Sequence, residues 1–117
     1  MDQISREYDS LREWIAAMRD KGEIIDVTGA DWRNEVGAIN EIMQKKPESP
    51  AVLFDCICDY PVGYRILGNP LNSVNRLAYT AGITGSADKL ALSRELSVRI
   101  NNMELLQPRE VATGGMK

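Results

Sequence analysis

Pro50-Ala51-Val52-Leu53-Phe54-Asp55 is a compact apolar run closed by a proline at one end and an acid at the other. A buried strand reads this way. Upstream, Pro47 and Pro50 bracket Glu48 and Ser49 as a linker. Before that linker, Val36, Ile39 and Met43 share one helical face, with Ile42 beside them. A helix is expected from about Asn34 to Lys45, capped by Asp31 or Asn34. Further back, Ile24, Ile25 and Val27 form a short strand that Thr28-Gly29-Ala30 breaks. Leu11, Trp14, Ile15 and Met18 fall at i, i+3, i+4 and i+7, one apolar stripe of a helix from Ser10 to Lys21. Ser10 and Glu13 have capping-box spacing, and Gly22 suits the left-handed residue after the last turn.

Downstream, Asp55 to Gly63 contains Asp59, Pro61 and Gly63 and reads as a loop or hairpin connection. Tyr64 to Leu67 is another strand, ended by Gly68-Asn69-Pro70. Ser73 caps a third helix with Val74, Leu77, Ala78 and Ala81, stopped by Gly82. Ser86 is the expected cap of a fourth, with Leu92, Leu96 and Ile100 on one side. Pro108 to Lys117 reads as irregular. The order α, β, α, β, β, α, α argues for an α+β domain, a small mixed sheet covered by about four helices.

Composition narrows the chemistry. The chain has 117 residues, 14 Lys and Arg, 17 Asp and Glu and no His, a formal balance of −3. The length fits one domain. Without histidine there is no histidine-based hydrolase and no His-ligated zinc. A mildly acidic chain with 6% aromatic residues is a poor nucleic-acid binder. The N-terminal MDQISREYDS has no apolar signal core, and the longest apolar stretches are far below the roughly 20 residues of a membrane span. A soluble, cytoplasmic protein is expected, with no membrane and no nucleic-acid partner.

Candidate site residues are few. In a strand, Cys56 and Cys58 would point the same way. Two reduced cytosolic thiols are the plain reading, against a regulatory disulfide or a shared metal site. Asp55 and Asp59 flank them and are either a metal-binding pair or simply loop polarity. Gly82-Ile83-Thr84-Gly85-Ser86 opens a helix and can receive an anion, but it lacks the phosphate-loop lysine, so a C-cap followed by an N-cap is preferred. Trp14 belongs to the apolar stripe. Trp32, like Trp14 a candidate binding aromatic, stands before a helix, where it can serve as a hydrophobic staple. Glu41 and Lys45 form a favourable helical pair. No catalytic, cofactor-binding or metal-binding residue is assigned.

Seven segments, in order, resemble the UbiD-type decarboxylases. They are Leu11-Arg12-Glu13-Trp14-Ile15 with Gly22-Glu23-Ile24-Ile25, Glu35-Val36-Gly37-Ala38-Ile39, Pro50 to Asp55, Asp59-Tyr60-Pro61, Ile66-Leu67-Gly68-Asn69-Pro70, Arg76-Leu77-Ala78 with Ala81-Gly82-Ile83, and Pro108-Arg109-Glu110-Val111. The chain departs from the family pattern at Cys56-Ile57-Cys58 and at Asp59, where a glycine is expected before the tyrosine.

The resemblance covers the family's N-terminal α+β domain, as residues 1–107, with 108–117 leading towards a catalytic split-barrel domain. It implies a decarboxylase acting on aromatic or α,β-unsaturated acids with prenylated flavin mononucleotide and a divalent metal. The family's catalytic and cofactor residues belong to the split barrel, so none maps here. The chain alone is expected to be inactive and to carry an exposed apolar patch for its partner domain. Two alternatives stand beside it. One is a separate accessory subunit that docks on a catalytic chain encoded elsewhere. The other is an unrelated enzyme using Asp, Glu or Cys. The full-length family is expected to be homo-oligomeric.

Overall fold

A computed structural model describes residues 8–83 and 88–114. The elements follow the expected order: α1 (Leu11–Asp20), β1 (Ile24–Thr28), α2 (Glu35–Lys45), β2 (Ala51–Asp55), β3 (Ile66–Gly68), α3 (Val74–Ala81) and α4 (Lys89–Asn101). The three strands form one mixed sheet in the order β1-β2-β3. β1 runs parallel to β2, with Ile24 opposite Ala51 and Thr28 opposite Asp55. β3 runs antiparallel to β2, with Leu53 opposite Leu67.

The central strand explains why its sequence is apolar without alternation. Ala51 and Leu53 point into a cluster with Trp14, Ile15 and Met18 of α1. Val52 and Phe54 point the other way, into a cluster with Ala30, Val36 and Ile57. Successive strand residues face opposite sides, so helices on both faces require apolar residues at every position. A third cluster, Ala78, Ile83 and Leu92, joins α4 to α3.

The helix ends obey local chemistry. The Ser10 hydroxyl accepts from Glu13 N at 3.2 Å, and the Glu13 carboxylate accepts from Asp9 N at 2.7 Å, one residue before the cap. α1 then closes in a Schellman turn: Gly22 adopts φ 71°, Glu23 N donates to Met18 O at 2.8 Å and Gly22 N to Arg19 O at 3.1 Å. Gly82, at φ 69°, repeats the device after α3, and Ile83 N donates to Ala78 O. The buried Ile83 packs beside Ala78, the apolar contact that commonly accompanies this turn.

Several expectations need correction. α4 begins later than expected: its cap is Asp88, whose carboxylate accepts from Leu90 N, and Ser86 lies outside the described residues. Of its apolar side Leu92 is buried and Leu96 partly so, whereas Ile100 is exposed; the last turn meets α3 through Arg99, whose Nη1 donates to Ala81 O at 2.9 Å. Ile42 likewise faces solvent, since α2 sits on the sheet through Val36, Ile39 and Met43. β3 is shorter than expected and starts at Ile66, leaving Tyr64 exposed in the preceding loop. As expected for Asp55 to Gly63, the cysteines lie in the loop after β2, which ends at Asp55. The irregular tail starts at Asn102 instead of Pro108, and its described residues to 114 are exposed.

Candidate functional site: a buried clasp and an aromatic face

Two constellations stand out, one buried and one exposed. The first is built on Arg76 in the first turn of α3. Arg76 is buried on the side of α3 away from Ala78, and it is among the largest fully buried side chains. Every guanidinium nitrogen donates. Nη1 reaches Glu23 Oε2 at 2.7 Å, and Nε reaches Pro70 O at 2.9 Å. Nη2 reaches Ser49 O at 2.6 Å and Asn69 O at 3.2 Å. One side chain thus ties the end of the α1 turn, the linker before β2, the turn after β3 and α3.

The partners are themselves fixed. Asn69 holds φ 57°, a left-handed conformation that asparagine tolerates better than most residues. Its Nδ2 donates to Ser49 Oγ at 2.9 Å and to Pro50 O at 3.2 Å. Ser49 Oγ donates to Met43 O at 2.5 Å. The Ser73 hydroxyl caps α3 by accepting from Arg76 N at 3.1 Å. Gly68 admits a close neighbour, because a Cβ there would stand 1.9 Å from Asn40 Oδ1. A buried charge is tolerated only when its donors are satisfied, and here they are.

The second constellation is a face formed by the β2–β3 loop and the loop before α2. Trp32, Tyr60 and Tyr64 meet there: the Trp32 and Tyr60 rings are 6.1 Å apart and nearly perpendicular, and the Tyr60 and Tyr64 rings are 6.1 Å apart and tilted. Such edge-to-face spacing is favourable for aromatic pairs. With Ile57, Ile66 and Arg65 they line a concavity of about 350 Å³. Trp32 is 47% exposed, Tyr64 62% and Val62, on the same loop, 86%. Arg33 lies over the Trp32 ring and donates to Asp59 at 2.9 Å and to Asp31 at 3.3 Å. The hydrogen bond with Asp59, and then the charges of Asp31 and Asp59, hold the Arg33 guanidinium above its ordinary range. Arg65 makes no hydrogen bond or ion pair among the described residues and feels Asp26 only at Coulombic range. Arg19 holds Asp26 itself, by a bidentate contact that lowers its carboxyl below the usual range.

The sequence candidates separate cleanly against this geometry. Trp14 is core, and its Nε1 donates to Thr80 Oγ1 at 2.9 Å. Trp32 does not staple α2; it joins Tyr60 on the exposed face. Asp55 and Asp59 do not converge on a metal: Asp55 accepts from Cys56 N, and Asp59 pairs with Arg33. Among the described residues no group of three His, Cys, Asp or Glu can hold an ion. Cys56 and Cys58 are free and exposed on either side of the buried Ile57. Asp59 adopts φ 67°, so it occupies the glycine-type conformation that the family pattern predicts at this position. Gly82 is a C-cap, and Thr84 to Ser86 of the glycine-rich turn lie outside the described residues. Glu41 and Lys45 pair at 3.0 Å.

The described residues do not fit a flavin phosphate with a divalent metal. The larger concavity, about 410 Å³ between α4 and the start of α3, is lined mainly by Leu71, Val74, Leu77, Leu92 and Leu96, with Lys89 as its single cation. No helix of the described residues is long and apolar enough to cross a membrane.

Glu23, Asn69, Pro70 and Arg76, which meet in the clasp, lie in segments that resemble a known family, and the comparisons agree. A family profile described as 3-octaprenyl-4-hydroxybenzoate carboxy-lyase N-terminal domain matches residues 15–96. No curated protein matches. Vanillic acid decarboxylase (ShVdcCD) of Sedimentibacter hydroxybenzoicus, in open form, is similar in fold, with TM-score 0.68 and 23% identity over 79% of this chain and 20% of that chain. The open form with truncated ShVdcD gives TM-score 0.69 and 22% identity over 82% of this chain and 20% of that chain. The chain therefore spans 20% of the length of the solved chains that it matches. With the family profile covering most of its length, this chain belongs to the UbiD carboxy-lyase family through its N-terminal domain.

Proposed function

We propose that this chain is the scaffold domain of a UbiD-like decarboxylase and that its own task is structural. The observation that carries this reading is the Arg76 clasp. Three of the family-like segments meet in it through Glu23, Asn69, Pro70 and Arg76, and these groups are engaged in holding the fold. The complete enzyme acts on an aromatic or α,β-unsaturated carboxylic acid, and its catalytic and cofactor-binding residues lie in a split-barrel region. Residues 1–107 form the domain, and 108–117 lead out of it. The partner is that catalytic region, continuous with this chain or supplied as a separate subunit. Prenylated flavin mononucleotide and a divalent metal are held there and not by these residues. The complete enzyme is a cytoplasmic homo-oligomer.

The test is direct. The purified 117-residue chain is titrated with prenylated flavin mononucleotide and manganese, and flavin absorbance in the retained fraction is read. Flavin is expected in the flow-through, with no CO₂ released from aromatic or acrylic acids. Stoichiometric retention, or turnover of any such acid, overturns the proposal.

A further inference from the structure

The exposed aromatic face asks for an occupant, and its chemistry narrows what that occupant is. Trp, Tyr and Arg are the residues that most often anchor protein interfaces, because they bury much area at little conformational cost. Here Trp32, Tyr60 and Tyr64 gather around an aliphatic floor of Ile57 and Ile66. Beside Trp32, Arg33 is already neutralised by Asp31 and Asp59. Arg65 lines the same concavity without a bonded acid among the described residues. A guanidinium carried into a desolvated interface needs a carboxylate, ideally a bidentate one. The groove between α3 and α4 is a weaker anchor: it has no aromatic residue, and serines and Lys89 form much of its rim.

We propose that the Trp32–Tyr60–Tyr64 face is where the catalytic region of the carboxy-lyase docks, presenting an apolar segment whose Asp or Glu carboxylate pairs with Arg65. The proposal rests on the scaffold reading above and goes on to name the surface and the chemistry of its partner. Tyr60 and Tyr64 supply hydroxyls for the rim, where partial hydration is tolerated. Charge reversal at Arg65 sets two carboxylates against each other in a desolvated site, whereas Arg65→Lys keeps the charge.

The experiment is hydroxyl-radical footprinting, read by mass spectrometry, of the 117-residue chain alone and of the complete carboxy-lyase that contains it. Trp32, Tyr60 and Tyr64 are expected to be labelled in the isolated chain and to lose that labelling in the complete enzyme. In the complete enzyme, Arg65→Glu is expected to restore labelling to the isolated level, and Arg65→Lys to keep the rings protected. Circular dichroism of each variant chain confirms that the domain itself is folded. Equal labelling of the three rings in both forms of an active decarboxylase overturns the docking face and leaves the scaffold reading intact. Ring protection in the isolated chain that rises with its concentration, together with a dimer mass, assigns the face to a second copy and also overturns the proposal. Protected rings in a flavin-loaded complete protein that decarboxylates nothing would instead sink the scaffold reading while the interface stands.

Discussion

Arg76 and Arg65 sit on opposite sides of β3 in sequence and have opposite environments. Arg76 is fully buried and donates from every nitrogen to groups of its own chain. Arg65 is exposed among aromatic rings and is hydrogen-bonded to none of the described residues. The same side chain therefore serves two ends. Where its partners belong to the domain, it fixes how four chain segments meet. Where they do not, it remains available to something outside. A region that folds the domain and a region that offers it to another surface can thus be told apart by where their hydrogen bonds go.

Four predictions press on that contrast. The largest effect is expected at the clasp. Glu23→Gln leaves the buried Arg76 without its counter-charge, and a loss of roughly 3 kcal/mol of unfolding free energy is expected, the low end for a broken buried pair because Glu23 is partly exposed. Urea unfolding followed by circular dichroism measures it, and a change below about 1 kcal/mol would make the clasp ornamental.

Next, Gly68→Ala forces a methyl group against the Asn40 side chain, at an expected cost of about 1–3 kcal/mol. Because the obstacle is a side chain and not backbone, adding Asn40→Ala should recover most of the loss. A double variant as unstable as the single one would show that the strain lies elsewhere.

At the other region, Tyr64→Ala and Trp32→Ala should leave the isolated chain within about 0.5 kcal/mol of the parent, because these rings cover little of its own core. Larger losses in thermal unfolding would mean that the face belongs to the fold after all.

The smallest effect concerns pH. Arg19 holds the Asp26 carboxyl below its ordinary range. A group depressed in the folded state adds stability above its unfolded value and loses it as pH falls through the folded one. The parent should therefore lose slightly more stability than Asp26→Asn as the solution is taken below about pH 4, an exposed pair being worth little. Identical acid titrations would remove the pair from the account.

Much of the fold was legible in the chain. The uninterrupted apolar run at 51–54 marks a strand covered on both faces, and it is the central one. Ser10, Gly22, Ser73 and Gly82 mark helix ends because capping is local chemistry. The α4 start is ambiguous in the sequence because serine and aspartate are both good caps, and in the structure Asp88 fills that place. Neither constellation was legible as a unit. An arginine beside Val74 and Leu77 reads as a solvated helix face, since arginine is seldom fully buried. Its acceptors, Glu23, Ser49, Asn69 and Pro70, come together only after β1, β2 and β3 have paired. Trp32 reads as a staple until the β2–β3 loop brings Tyr60 and Tyr64 to it. A signal did exist: the segments that resemble the family include Glu23, Asn69, Pro70 and Arg76, and their joint presence is explained by one buried guanidinium.

The central claim is that one arginine builds the domain while the other is reserved for a partner. Urea unfolding of the 117-residue chain with Arg76→Met and with Arg65→Met, side by side, tests it most directly. The account predicts a loss of roughly 3–5 kcal/mol for Arg76→Met, which strands Glu23 and the carbonyls of Ser49, Asn69 and Pro70, and a change within about 0.5 kcal/mol for Arg65→Met. Equal losses for the two, or a stable Arg76→Met chain, would contradict it.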